Sequence, residues 1–172
     1  MSAITACALP ADALLIRYRA QGAYTDCFCV EIDAAVSFEQ YVVAFYTSLP
    51  FKLERLILGL AVKAPSTDAQ TGELGRGERD RFAAWSVEQR AENQLLLCDL
   101  HGSTRSWLMI KVLTGAGQPR TRLYFGSAVV TRRDPRTGEI RIGAIYRALL
   151  GFHKLYSRIL IAAAQRQLLR SR

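Results

Sequence analysis

The stretch 142–169 constrains the fold most, because its apolar residues recur at helical spacing. Ile142, Ile145, Leu149, Phe152, Tyr156, Leu160 and Ala163 fall on one face, with Arg147, Lys154, Arg158 and Gln165 opposite. A helix of about 28 residues is about 42 Å long at the standard rise. Such a helix crosses a whole sheet and needs an apolar surface along its length.

The preceding sequence supplies that surface. Tyr24–Ile32 alternates, with Phe28, Val30 and Ile32 on one side and Cys27, Cys29 and Glu31 on the other, which reads as a strand. A helix follows, with Ser37 as N-cap, Gln40 completing a capping box and Phe38, Tyr41, Val42 and Phe45 along one face. Ser48-Leu49-Pro50 ends it and opens a second helix, with Leu53, Leu56, Ile57 and Leu60 as its apolar stripe. The polar segment 65–81, with Gly72, Gly75 and Gly77, reads as a long loop. Gly75-x-Gly77 is too short for a dinucleotide fingerprint.

Four further strands are expected at 81–89, 94–100, 105–113 and 120–131. Short turn-like links at 91–93, 101–103 and 115–119 make consecutive strands antiparallel neighbours. A turn at 134–138 leads into the final helix, which begins at Arg141 or Ile142. The order is α+β: strand, two helices, strand meander, long helix. One domain, 1–172 with its core at about 24–169, accommodates it.

Half the residues are hydrophobic and 22% are charged, which supports a core and argues against global disorder. The net charge of +8 fits nucleic acid, an anionic surface or acidic ligands, but the basic residues are scattered. A solvated basic surface is the simpler reading, and nucleic acid is not expected as a partner. Cys7, Cys27, Cys29 and Cys98 lack Cys-x-x-Cys spacing and a nearby His, so they read as reduced thiols packed as small apolar groups, with no metal site. Residues 1–8 carry no positive charge, and Pro10 and Asp12 interrupt the apolar stretch, so no secretory signal is expected. No membrane span is expected either, since Arg158 interrupts the best candidate. A cytoplasmic location is the expectation.

The element order, Tyr24-x-Asp26-x-Phe28-x-Val30, the Phe45-Tyr46-x-x-Leu49 segment, and Ile142-Gly143-x-x-Tyr146 followed by Gly151-Phe152-His153 resemble a bacterial branch of the START-like (SRPBCC) superfamily. The resemblance covers about 24–164. It implies the helix-grip fold, an antiparallel sheet wrapped around a long C-terminal helix with two short helices after the first strand. That fold has more strands than the five assigned above. Either a further one lies at about 14–18 or within the polar loop, or the grip is shorter here. Relatives of this architecture hold apolar or aromatic ligands between sheet and helix, some as polyketide cyclases or aromatases and some as lipid carriers.

The resemblance therefore implies an apolar or aromatic small molecule, or a lipid, as partner, with no cofactor. Candidate ligand-binding residues are His153, Tyr146 and Tyr156 on the long helix, with Trp85, Trp107, Tyr124 and Tyr46 elsewhere. His153 lies beside the buried stripe and has the chemistry of a general base, though a partly buried His bonded to a neighbour is the simpler reading of that position, since no nucleophile or metal partner is visible. Trp107 shares a face with Met109 and Lys111, opposite the apolar Leu108, Ile110 and Val112, and so covers the outer face or a rim. His101 falls in an exposed turn. Glu31, Glu88 and Asp99 are isolated carboxylates, adequately explained by solvated sheet faces. Two other readings stand beside ligand binding: a cyclase or aromatase using His153, and a ligand-free interaction module using the basic helix face or the loop 65–81.

Overall fold

The alternating segments build a seven-stranded antiparallel sheet with the long helix across it. The computed structural model describes residues 2–62, 66–115, 118–130 and 144–170, with side chains except at 54, 57–62 and 144–153. The turn expected at 134–138 and the helix start expected at Arg141 or Ile142 lie outside the described residues.

In chain order the elements are β1 (Thr5–Ala6), α1 (Ile16–Ala20), β2 (Tyr24–Ile32), α2 (Phe38–Tyr46), α3 (Leu49–Val62), α4 (Ala69–Arg76), β3 (Arg81–Phe82), β4 (Trp85–Ala91), β5 (Gln94–Asp99), β6 (Thr104–Leu113), β7 (Arg120–Val129) and α5 (Ala144–Arg170). The strand order is β1-β2-β7-β6-β5-β4-β3. β3 to β7 form a meander, and β2 pairs along its whole length with β7, from Tyr24↔Val129 to Ile32↔Thr121. The fold is α+β, with the long C-terminal helix packed on an antiparallel sheet in the helix-grip manner.

The strands not assigned from sequence lie at the two edges. β1 is at 5–6 rather than 14–18, where the chain instead forms the short helix α1. The strand expected at 81–89 is split into β3 and β4, with Ala83 at a positive φ of 50° between them. The expected loop 65–81 contains α4, closed by Gly77 in the left-handed conformation, with Glu78 N–H bonded to the Glu73 carbonyl at 2.9 Å. A polar, glycine-rich segment holds a helix here because it packs. Thr71 and Leu74 are buried, and Gly75 lies close enough to α2 that a Cβ would sit 3.1 Å from the Glu39 Cα.

Ser37 caps α2 as expected, with Gln40 N–H bonded to its hydroxyl at 3.1 Å and the Gln40 side chain accepting from Ser37 N–H at 2.9 Å. α3 differs from its expected stripe: Leu53 and Leu56 are exposed, while Phe51 and Arg55 are buried. Ile57 and Leu60 fall among the side chains that are not described. Arg55 turns inward because partners await it. Its guanidinium donates to Ser66 Oγ at 2.9 Å and Asp68 Oδ1 at 2.9 Å, and lies 5.2 Å from the Phe82 ring centre.

The inner core joins Phe28, Val30, Leu108, Ile110, Leu123 and Phe125 of the sheet to Tyr41, Phe45 and Tyr46 of α2 and to Leu160, Ile161 and Ala164 of α5. On α5 the buried stripe is Ser157, Leu160, Ile161, Ala164, Gln165 and Leu168. That spacing is helical but rotated from the sequence reading, which placed Gln165 outside. Gln165 is accommodated because its amide reaches the Ser2 carbonyl at 3.3 Å.

The outer face of the sheet is also buried, which the sequence reading did not anticipate. Residues 12–18 lie across it, so that Ala13, Leu15 and Tyr18 pack on Cys27, Cys29, Leu96, Trp107, Met109 and Tyr124. Gln94 fastens this cover: its side-chain oxygen accepts from Leu14 N–H at 3.0 Å and Trp107 Nε1 at 2.9 Å, and its amide donates to the Asp12 carbonyl at 3.0 Å. Gly126 makes room beneath it, since a Cβ there would lie 2.9 Å from Trp107 and 2.8 Å from the Asp26 carbonyl.

Candidate functional site

The candidate residues from sequence do not converge on one site. Tyr46 is fully buried in the inner core, its hydroxyl 3.4 Å from Ser106 Oγ and its ring edge-on to Phe51. Trp107 and Tyr124 belong to the second core, on the sheet face away from α5, with ring centres 6.2 Å apart. Trp107 is fully buried there rather than a surface cover, because residues 12–18 lie over it. Trp85 is half-buried at the start of β4 and packs on the inner core, its indole N–H without a hydrogen-bond partner among the described residues. Tyr156 is half-buried on α5 against the same core. Tyr146 and His153 lie in α5, and their side chains fall outside the described residues. His101 is exposed in the turn after β5.

The three carboxylates are structural. Glu31 pairs with Arg120 and with Arg122 at 2.5 Å, and the Arg122 hydrogen bond holds its carboxyl below the usual range. Glu88 pairs with Arg105 at 2.5 Å and also bonds Tyr18 and Arg17. Asp99 accepts from Ser103 N–H at 2.7 Å and Thr104 N–H at 3.1 Å, shaping the hairpin turn.

A groove of ≈640 Å³ opens where β1 ends and the edge of β2 meets α5. Its apolar lining includes Leu9, Phe28 and Leu155, and Arg19, Lys154 and Arg158 supply cations. Asp26 also lines it, but its Oδ1 accepts from Ser127 N–H at 3.0 Å and from the Ser127 hydroxyl at 2.6 Å. Its Oδ2 accepts from the Tyr24 hydroxyl at 3.4 Å, so the lining holds one hydrogen-bonded carboxylate beside three cations. A second groove of ≈620 Å³ runs between α3 and the end of α5, edged by Leu49, Pro50, Ile159 and Arg166.

Cys7 and Cys27 are also in the lining of the first groove. Their sulfurs are 3.4 Å apart, and Cys29 Sγ lies 3.4 Å from Thr5 Oγ1. The hydrogen bond from Cys27 lowers the Cys7 thiol to about 7, and the same contact raises Cys27. Burial raises Cys29. Sequence reasoning missed this cluster because Cys7 lies 20 positions from Cys27, and only the pairing of β1 on β2 brings them together. Among the described residues, no group of three or more His, Cys, Asp and Glu side chains is arranged to hold a metal ion. No described helix is long and apolar enough to cross a membrane. Neither a family model, a curated protein nor a solved structure matches this chain.

Proposed function

We propose that this chain is a START-like domain that binds an apolar or aromatic small molecule carrying an acidic group, held in the groove beside α5. One observation carries the reading: the groove combines apolar walls from Leu9, Phe28 and Leu155 with Arg19, Lys154 and Arg158 at its mouth. Its volume of ≈640 Å³ falls in the range of small-molecule sites, about 300–1,000 Å³. The described side chains between sheet and α5 pack as a continuous core, which favours the flank of the helix over its underside. An apolar body against the walls and an anion at the three cations would use both halves of the lining.

The test is an NMR titration with decanoate and with its uncharged amide. Decanoate should shift amides of 6–9, 24–28 and 154–158 and bind more tightly than the amide, and Lys154→Glu with Arg158→Glu should remove that preference. Equal binding of the two probes, or shifts confined to the groove between α3 and α5, would overturn the reading.

A further inference from the structure

We infer that Cys7 and Cys27 form a hydroperoxide-reactive thiol pair, with Cys7 the attacking sulfur and Cys27 the resolving one.

The geometry comes from strand register. β1 pairs with β2 through Thr5↔Cys29 and Ala6↔Phe28, and the next position sets Cys7 opposite Cys27, with Cys7 N–H bonded to the Cys27 carbonyl at 3.0 Å. Directly opposed residues of an antiparallel pair have Cα atoms about 4.5–5.5 Å apart. As a hydrogen-bonded pair these two stand at the upper end, about 5.5 Å, inside the about 4.4–6.8 Å that disulfides span between Cα atoms. Both residues are free thiols, 3.4 Å apart at sulfur.

Their exposures divide the roles. Cys7 is partly exposed in the groove, whereas Cys27 is 5% exposed behind it. The attacking sulfur is thus the one a small oxidant reaches first. The positive charge of Arg122 acts on Cys7 and favours a thiolate over a thiol. The Cys27 S–H bonded to Cys7 acts in the same direction. Cys29 also interacts with the Cys7 thiol, but it stands opposite Thr5 in the register, its sulfur 3.4 Å from Thr5 Oγ1, whereas Cys27 stands opposite Cys7. Cys98 lies away on β5 with its sulfur near the Asp99 carbonyl at 3.3 Å.

The chemistry balances with a hydroperoxide as oxidant. Cys7 thiolate attacks the terminal oxygen, the O–O bond breaks, and the departing alkoxide takes up the proton that Cys7 released. The product is a Cys7 sulfenic acid and an alcohol, or water from hydrogen peroxide. Cys27 sulfur then attacks Cys7 sulfur, the S–O bond breaks, and hydroxide leaves with the Cys27 proton as water. Two thiols are oxidised to one disulfide and one hydroperoxide is reduced. Exchange with a small thiol restores the reduced pair.

The inference is independent of the ligand reading, because it needs only access to Cys7. The experiment exposes the reduced full-length chain to hydrogen peroxide, followed by thiol titration and peptide mass spectrometry. Two of the four cysteines should be lost, with a Cys7–Cys27 cross-linked peptide two hydrogens lighter. In Cys27→Ser the bridge should vanish and Cys7 should take up a sulfenic-acid label, and in Cys7→Ser neither product should form. For the wild-type chain, where no variant can misfold, limited alkylation should modify Cys7 before the other three. Loss of all four thiols at one rate, a bridge involving Cys29 or Cys98, or no bridge with Cys27→Ser unlabelled would overturn the inference.

Discussion

The Tyr41 hydroxyl donates to the Tyr124 carbonyl at 3.0 Å, across the interface between α2 and the centre of the sheet. Tyr41 is fully buried, and Tyr124 sends its own side chain into the core on the opposite face. One hydrogen bond therefore fastens the helical layer to the strand that both cores share. Tyr41→Phe should cost about 1 kcal/mol, the usual net contribution of such a bond, read as a lower urea midpoint with unchanged slope. Burial also pushes the Tyr41 hydroxyl well above its ordinary value. A group raised on folding stabilises the fold below its unfolded value near 10.0 and loses that contribution as the pH climbs. Alkaline unfolding of the wild type should thus show a steeper fall than that of Tyr41→Phe.

Gly126→Ala should be more damaging than its size suggests. The added Cβ would meet the Asp26 carbonyl at 2.8 Å and Trp107 at 2.9 Å, and neither neighbour is the end of a flexible chain. Overpacking of this kind costs about 1–3 kcal/mol, and backbone on one side puts this site at the upper end. Thermal denaturation checks it, and an unchanged Tm would refute the close packing of Trp107 on β7.

Arg55→Ala should destabilise by about 2–3 kcal/mol through lost charge-assisted bonds to Ser66 and Asp68. Asp68 provides a separate handle, because hydrogen bonds from Lys52 and then Arg55 hold its carboxyl below the usual 3.8. A lowered group contributes above its unfolded value and is lost as the pH falls through the folded one. Acid unfolding below about pH 4 should therefore flatten in Asp68→Asn.

The rate of Cys7 alkylation should rise with pH and reach half its limit near 7, well below the ordinary thiol value of 9.0. In Cys27→Ser the midpoint should move, since the donor that sets it is a different group. Mass spectrometry of timed iodoacetamide reactions measures both.

Much of the fold was legible because it rests on local patterns. The alternation of Tyr24–Ile32, the capping box at Ser37 and the hairpin turns each announce their element within a few residues. What escaped depends on distant partners. α4 forms because Leu74 and Gly75 meet α2, and Arg55 points inward because Ser66 and Asp68 bind it. Trp107 shares a face with Lys111, so alternation alone presents that face as open, and the Gln94 clamp that covers Trp107 joins positions more than 70 apart. The thiol pair was hidden for the same reason, since a two-residue strand leaves almost no periodic trace.

The pairing of β2 with β7 also sets a schedule. Tyr24 must wait for Val129, and Ile32 for Thr121, before either edge of the ladder can close. During synthesis, the apolar strand around Phe28 and Val30 emerges well before β7, the partner it pairs with along its whole length. Contacts this distant slow folding, and unpaired apolar strands are the species that aggregate. The nascent chain therefore passes through a long window in which its second strand is its greatest hazard, and a chaperone that shields that strand would raise the yield of folded protein more than one acting on the finished helix.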